Sequence, residues 1–163
     1  MCPDRRVLAT SLPVVAALLV AAPRGGAAQV SLTLTQTPNV FPAPAVADYN
    51  AGVIGNPTGI VYTINVTGGA ATNRTSIVSV RASSGSLGGG KPLSDLQWRR
   101  ADLAAWNAMT TVDATVESRT VRKNGINDPW SNSLFLRMLL SWTGDAPATY
   151  STGLVFTLTI TTP

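Results

Sequence analysis

The residue types that carry most enzymatic chemistry are scarce in this sequence. It contains no histidine, and its single cysteine, Cys2, lies at the extreme N-terminus. Without histidine, Ser-His-Asp and Cys-His nucleophilic sites cannot be built in their usual form, and the common zinc ligand sets are excluded as well. The sequence therefore predicts a protein that is not an enzyme, with no cofactor and no metal.

The acidic residues do not change this prediction. A glycoside hydrolase needs two facing carboxylates, and the spacing of the acidic residues after position 28 singles out no pair. The stretch NGINDP offers Asn124, Asn127 and Asp128 as oxygen ligands for calcium. The same composition is ordinary turn chemistry, and we favour the turn. These acidic residues are Asp48, Asp95, Asp102, Asp113, Glu117, Asp128 and Asp145.

Three of the four tryptophans are the best candidates for ligand contact. Trp98 and Trp106 flank a short polar crossover, and Trp130 lies in a turn-rich stretch. Exposed indole rings on a β-sandwich can stack on sugar rings, so these three predict a carbohydrate- or ligand-binding surface; the alternative is partial burial against the sandwich. Trp142 continues the apolar alternation of residues 134–142, and we expect it in the core.

The elements that would position these residues are short strands. Apolar residues recur at every second position in several segments separated by Gly, Pro and Asn, and no long helical period is present. The pattern predicts seven or eight strands in an all-β fold, an antiparallel β-sandwich of immunoglobulin-like or Greek-key type. The clearest segments are 30–35, 60–66, 75–82, 113–121, 134–142 and 154–161.

The N-terminus has the pattern of a cleavable export signal. Arg5 and Arg6 precede an apolar run over residues 7–22, and Gly26 and Ala28 provide small residues before Gln29. The run is shorter than the ~20 residues that a spanning helix needs. We therefore expect a signal peptide over residues 1–28, a single β-sandwich domain over residues 29–163, and a location in the periplasm, at the cell surface or outside the cell.

Charge argues against nucleic acid as a partner. The whole chain carries 12 basic and 8 acidic residues, a net charge of +4. Residues 1–28 contain three of the basic residues and one of the acidic ones, which leaves +2 for residues 29–163. The remaining basic residues are scattered, as in the pairs Arg99-Arg100 and Arg122-Lys123, whereas nucleic-acid binding requires a clustered basic face.

The two ends of the predicted domain carry a family resemblance. Tyr150 precedes a closing strand whose apolar residues alternate; this arrangement resembles the C-terminal strand of bacterial spore-coat-U-like and chaperone–usher fimbrial subunits. The segment from Val30 is similar to the one that pilins donate to a neighbour. The resemblance implies a secreted immunoglobulin-like sandwich that polymerises or coats the cell surface, although residues 29–163 lack the paired cysteines usual in spore-coat-U-like domains. The alternating residues are Leu154, Phe156, Leu158 and Ile160 in the closing strand, and Val30, Leu32 and Leu34 in the first.

Two functions are consistent with these features. The first is a structural or adhesive surface protein that associates with itself or with other surface proteins by strand exchange, since an extended segment can complete a neighbour's sheet. Val30, Leu32 and Leu34 can instead form the first strand of their own domain, and we favour this alternative to donation of the strand. The second function is a glycan- or ligand-binding module that uses Trp98, Trp106 and Trp130.

Overall fold

The computed structural model describes residues 17–19, 29–67, 74–121, 130–145 and 148–161. Of the predicted signal peptide only residues 17–19 fall in these ranges, and Asn124, Asn127 and Asp128 lie outside them. The elements are β1 (Ala17–Leu19), β2 (Gln29–Thr35), α1 (Val46–Ala51), β3 (Val53–Gly55), β4 (Ile60–Thr67), β5 (Arg74–Ala82), a 3-10 turn (Leu93–Asp95), β6 (Leu96–Arg100), β7 (Asn107–Ala108), β8 (Ala114–Val121), β9 (Trp130–Leu139) and β10 (Leu154–Thr161).

The strands form two sheets. The first has the order β1-β10-β5-β8, and the second has the order β2-β4-β9-β6-β7, with β3 also paired to β9. Among the described strands, β1 is parallel to β10 and every other pair is antiparallel. The sequence prediction of an all-β fold with antiparallel sheets is confirmed.

The core lies between the two sheets and follows the period-two pattern. Ile60, Tyr62 and Ile64 of β4 are buried together, and Leu154 and Phe156 of β10 meet them from the other sheet. Each fully buried aliphatic or aromatic side chain contributes roughly 1.5–3 kcal/mol relative to an exposed one. Residues from both sheets share one apolar cluster, and the architecture is therefore sandwich-like.

Strand β9 lies in the middle of the second sheet. Its first half pairs with β4 and its last three residues pair with β3, while β6 occupies the other edge. Strands β3 and β4 therefore follow one another along the same edge, and residues 56–59 between them leave the ladder. Asn56 fixes this loop, because its side-chain amide donates to the Val40 carbonyl at 2.7 Å and its Oδ1 accepts from the Thr58 N–H at 2.8 Å.

A β-bulge interrupts the pairing of β8 with β5. Thr115 is opposite Ser79 and Glu117 is opposite Val78, so Val116 is the extra residue. A bulge reverses the alternation of side chains along a strand. As a result Val116 and Glu117 are both buried, although they are consecutive.

The glycine run at 88–90 is a site of close backbone approach. All three glycines have positive φ, and a Cβ added to Gly89 would lie 2.7 Å from the Ala148 Cβ. Residues that carry a side chain rarely adopt a positive φ. This loop therefore packs directly against the segment that leads into β10.

One element differs from the sequence expectation. Pro38, Pro42 and Pro44 predict an extended strand edge or a loop for residues 38–52, but the segment contains the short helix α1. The Asp48 carboxylate accepts a hydrogen bond from the Ala45 N–H at 2.7 Å, and Gly52 ends the helix with a φ of 69°. Both are ordinary capping interactions at helix ends. The hydrophobic periodicity does not predict this helix, because six residues are too few to show a helical period.

Candidate functional site

Two of the three predicted ligand-binding tryptophans are buried. Trp98 is 5% exposed and Trp130 is 6% exposed. Trp98 is opposite Leu136 and Trp130 is opposite Ile64, and both of these neighbours point into the core. The alternation of β6 and β9 therefore turns both indoles inward. The alternative of burial against the sandwich holds for these two, and neither lines an exposed surface.

The prediction that Trp142 lies in the core is wrong. Trp142 is 58% exposed, because β9 ends at Leu139 and the chain turns before the alternation reaches it. Its ring stacks on Tyr49, with the centroids 4.6 Å apart, and its Nε1 donates to Asn50 Oδ1 at 3.3 Å.

Of the three tryptophans predicted to lie at a binding surface, Trp106 alone is partly exposed to solvent. It lies close to two arginines, with its ring centroid 5.0 Å from Arg99 Cζ and 4.4 Å from Arg137 Cζ. Arg99 Cζ also lies 5.2 Å from the centroid of Phe135. We call Arg99, Trp106, Phe135 and Arg137 the outer-face cluster. Contacts of this kind combine cation–π attraction with planar stacking.

Three neighbouring strands assemble the outer-face cluster. Arg99 of β6 is opposite Phe135 of β9, and Gln97 is opposite Arg137. Trp106 immediately precedes β7, whose Asn107 is opposite Trp98. Since side chains alternate between faces, the residues next to the inward Trp98 and Leu136 point outward. The cluster therefore lies on the face of the second sheet away from the core.

A cleft of about 330 Å³ opens at the outer-face cluster. Its walls combine the aromatic rings and Arg99 with the loop between β3 and β4; the lining residues are Gly55, Asn56, Pro57, Arg99, Trp106, Phe135 and Leu136. Gly59 also lies against the cluster, because a Cβ there would be 3.3 Å from the Phe135 ring. The anchored loop thus forms one wall of a small, preformed depression.

A second polar group lies on the opposite face. Tyr62 of the second sheet donates its hydroxyl proton to Glu117 Oε2 of the first sheet at 2.5 Å. Arg100 donates to the Val116 carbonyl at 3.1 Å and to both carboxylate oxygens of Asp102, at 2.5 and 2.8 Å. We call Tyr62, Arg100, Asp102 and Glu117 the inner-face cluster. Its hydrogen bonds connect the two sheets at the bulge of β8.

Burial and ion pairing shift the pKa values in the inner-face cluster. Burial, followed by the hydrogen bond to Glu117, raises the pKa of Tyr62 far above its usual value. The Arg100 guanidinium lowers the pKa of Asp102, and the Asp102 carboxylate raises the pKa of Arg100. The phenol therefore stays neutral and the carboxylate stays charged at physiological pH. These are the properties of a structural cross-link, with no nucleophile in it.

Tyr150, which carries part of the family resemblance, lies beside a buried ion pair. Lys91 Nζ is 3.1 Å from Asp95 and 2.5 Å from Asp145, and it lies 5.5 Å from the centroid of the Tyr150 ring. Burial lowers the pKa of Lys91, but its hydrogen bonds to the two carboxylates outweigh this effect and the net shift is upward. This group holds the glycine loop against the segment that enters β10.

The first strand pairs within its own domain. Val30 and Leu32 of β2 are buried, Leu34 packs against the core, and the strand is antiparallel to β4. This is the alternative that the sequence favoured. In β10, Leu154 and Phe156 are buried and Leu158 packs against the core, but Ile160 is 38% exposed. The alternation of β10 thus extends beyond its buried part.

The closing strand has one edge with little cover. Along its full length β10 pairs with β5, but on the other edge the described strands pair with residues 155–157 alone, through the short strand β1. β1 belongs to the segment that the sequence predicts to be removed on export. Within the described ranges, no other strand lies along this edge.

Metal and membrane motifs add nothing to these features. No group of three or more metal-ligating side chains occurs in the described part of the chain. The described residues also include no helix that is long and apolar enough to cross a membrane. A comparison with protein-family models, with curated proteins and with solved structures finds no match for this chain.

Sequence reasoning missed the two arginines of the outer-face cluster. Arg137 stands out as the charged exception in an otherwise apolar strand, and Arg99 forms half of an apparently ordinary basic pair. Alternation along the segment from Leu96 would have separated Arg99 from Arg100. Their meeting at Trp106 depends on the order β7-β6-β9, which one strand pattern does not specify.

Proposed function

We propose that this protein is an exported, non-enzymatic structural or adhesive component of the cell surface that associates through strand exchange at β10. The observation that carries the proposal is the edge of β10, which β1 covers over residues 155–157 alone. Removal of residues 1–28 as a signal peptide takes β1 away. No other strand among the described residues then pairs with that side of β10, which leaves its edge as a template for another chain.

The proposal includes an immunoglobulin-like, Greek-key description of the two sheets. In support of it, the chain crosses repeatedly between the sheets, from β4 to β5, from β8 to β9 and from β9 to β10. Crossing connections of this kind are typical of such sandwiches. A structural role also fits the inner-face cluster and the Lys91 group, since both use their polar atoms to hold the fold together.

The partner strand in this proposal is Gln29–Thr35 of a second copy. This strand lies at the edge of the second sheet and pairs on one side only, with β4. Its alternating Val30, Leu32 and Leu34 can be buried by a neighbour's sheet as they are by their own. β-Augmentation of this type takes its affinity from main-chain hydrogen bonds and its register from alternate side chains.

The test measures the oligomeric state of residues 29–163 by size-exclusion chromatography with light scattering. We expect concentration-dependent oligomers that are lost when residues 29–37 are deleted. Thr159→Lys places a charge on the open edge of β10 and should weaken association by at least about tenfold, since charged side chains blunt edge strands. Ser118→Lys, an exposed position on β8 at the other end of the same sheet, is the matched control.

A clean monomer at all concentrations would contradict strand exchange, as would equal effects of the two lysine variants. Mass spectrometry of the protein recovered from the culture medium or periplasm tests the export part separately. We expect an N-terminus near Gln29, and an intact chain retained in the cytoplasm would overturn the proposed localisation.

One observation favours a second candidate function, the binding of a glycan or another ligand. Trp106 is partly exposed at the rim of a preformed cleft, with Phe135 beside it. Aromatic rings in a shallow cleft are a common way to hold the apolar face of a ligand. The binding role that the sequence assigned to three tryptophans is therefore narrowed to Trp106.

A further inference from the structure

Among the described residues, the two arginines of the outer-face cluster have no carboxylate within ion-pair distance. In the described part of the chain, the ion pairs within 4.0 Å involve Arg81, Lys91, Arg100 and Arg119. Arg99 and Arg137 are not among them. Two guanidinium groups are thus held against one indole ring without a carboxylate, although like charges repel at such range.

Neutral partners orient these guanidinium groups. One terminal nitrogen of Arg99 donates to the Leu103 carbonyl at 2.9 Å, and Arg137 Nε donates to Gln97 Oε1 at 2.8 Å. A guanidinium carries five N–H donors, and the described contacts use a minority of them. The arginines are therefore fixed in place with donors to spare.

The cleft beside them has a mixed character that restricts the ligand. Its volume of about 330 Å³ is at the lower end of the range for small-molecule sites. Trp106, Phe135 and Pro57 offer apolar surface, while Arg99 offers charge at the same depression. A ligand with an apolar ring face and a negative group on its edge would satisfy both.

We propose that the outer-face cluster binds an acidic saccharide. In this assignment Arg99, which lines the cleft, holds the carboxylate of a hexuronate residue, and Arg137 adds positive charge beside Trp106. The ring of the hexuronate lies against Trp106 and Phe135. Arginine matches carboxylate geometry through paired N–H donors, and a negative charge in the cleft offsets the repulsion between the two guanidinium groups. The inference rests on the second candidate function and does not depend on strand exchange.

The experiment is calorimetric titration of residues 29–163 with tetragalacturonate, with its methyl ester as the uncharged control. We expect binding of the acid, and at least about tenfold weaker binding of the ester, which corresponds to about 1.4 kcal/mol. Arg99→Gln and Arg137→Gln should each weaken binding of the acid by a similar factor. Trp106→Ala should abolish the fluorescence change that accompanies binding.

Arg81→Gln is the matched control for total charge. Arg81 is partly exposed on the first sheet and pairs with Asp113, so its replacement removes one positive charge away from the cleft. Its affinity for the acid should equal that of the unaltered protein. Far-UV circular dichroism and the urea midpoint of each variant verify that loss of binding is not loss of fold.

Each other outcome overturns a defined part of the inference. Equal binding of the acid and its ester would exclude recognition of the carboxylate and leave the second candidate function in place. No binding of either would overturn both. An equal loss in Arg81→Gln would reduce the effect to net charge, and tighter binding of a sulfated tetrasaccharide would reassign the site from carboxylate to sulfate.

Discussion

Arg99 and Arg100 are neighbours on β6, but they belong to two very different polar regions. Arg100 faces inward, where the Asp102 carboxylate and the Val116 carbonyl accept its hydrogen bonds. Arg99 faces outward, where it meets two aromatic rings and backbone carbonyls. The inner-face cluster has paired its charges and cross-links the sheets. The arginines of the outer-face cluster have no carboxylate partner among the described residues. This difference separates a structural polar group from a candidate binding site.

The same contrast applies to backbone groups. The inner strands β4, β5 and β9 have partners on both sides, whereas β10 depends on the three residues of β1 along one edge. In both regions the candidate function lies where polar groups, either guanidinium N–H donors or backbone groups of a strand edge, have few partners among the described residues. Variants that treat the two sides differently can therefore break or sharpen the comparison.

The largest effect is expected at the centre of the inner-face cluster. Tyr62 is fully buried, and Tyr62→Ala removes a large core side chain together with the hydroxyl group that donates to Glu117 Oε2. Truncation of a buried aromatic costs about 3–5 kcal/mol of unfolding free energy. Trp106→Ala, on the outer face, should cost no more than about 1 kcal/mol. Urea unfolding followed by far-UV circular dichroism measures both, and similar losses would erase the distinction.

A smaller change isolates the bond between the sheets. Tyr62→Phe keeps the ring and removes the hydroxyl group that donates to Glu117. A buried acceptor left without its donor costs about 1–3 kcal/mol. Tyr49→Phe, on the short helix α1, is the matched control and should be nearly neutral. If the two phenylalanine variants are equally stable, then the Tyr62–Glu117 bond does not stabilise the sandwich.

Alkaline pH tests the same bond without a new cavity. The pKa of Tyr62 is raised in the folded protein, first by burial and then by Glu117. A raised pKa means that the stability contribution is complete below the unfolded value near 10 and is lost as the pH rises above it. The difference in unfolding free energy between wild type and Tyr62→Phe should therefore shrink above pH 10, by up to about 1.4 kcal/mol per pH unit. A difference that stays constant from pH 8 to pH 11.5 would show that Tyr62 titrates normally.

Local alternation predicted more of the fold than of the site. The buried faces of β4, β5 and β10 follow directly from residues such as Ile60, Val80 and Phe156, which recur at period two. The bulge at Val116 breaks that period, and its position depends on pairing with β5. The predictions of an exposed Trp98 and a buried Trp142 fail for a related reason, since the burial of each ring depends on where its strand ends. The outer-face cluster needs the lateral order of three strands, which is a property of the sheet as a whole.

The smallest expected effect is the most informative about the outer-face cluster. Arg99→Gln removes a charge that has no carboxylate partner among the described residues, and surface changes of this kind lie within about 0.5 kcal/mol. Arg100→Gln should lower the unfolding free energy by more, because the Val116 carbonyl at the bulge loses its donor. Parallel urea titrations of the two variants measure the difference. An unchanged or higher stability of Arg99→Gln means that the fold does not need this charge, which is the result that a ligand-binding role for Arg99 requires. A loss as large as that of Arg100→Gln would make Arg99 a structural residue and remove the basis for the saccharide site.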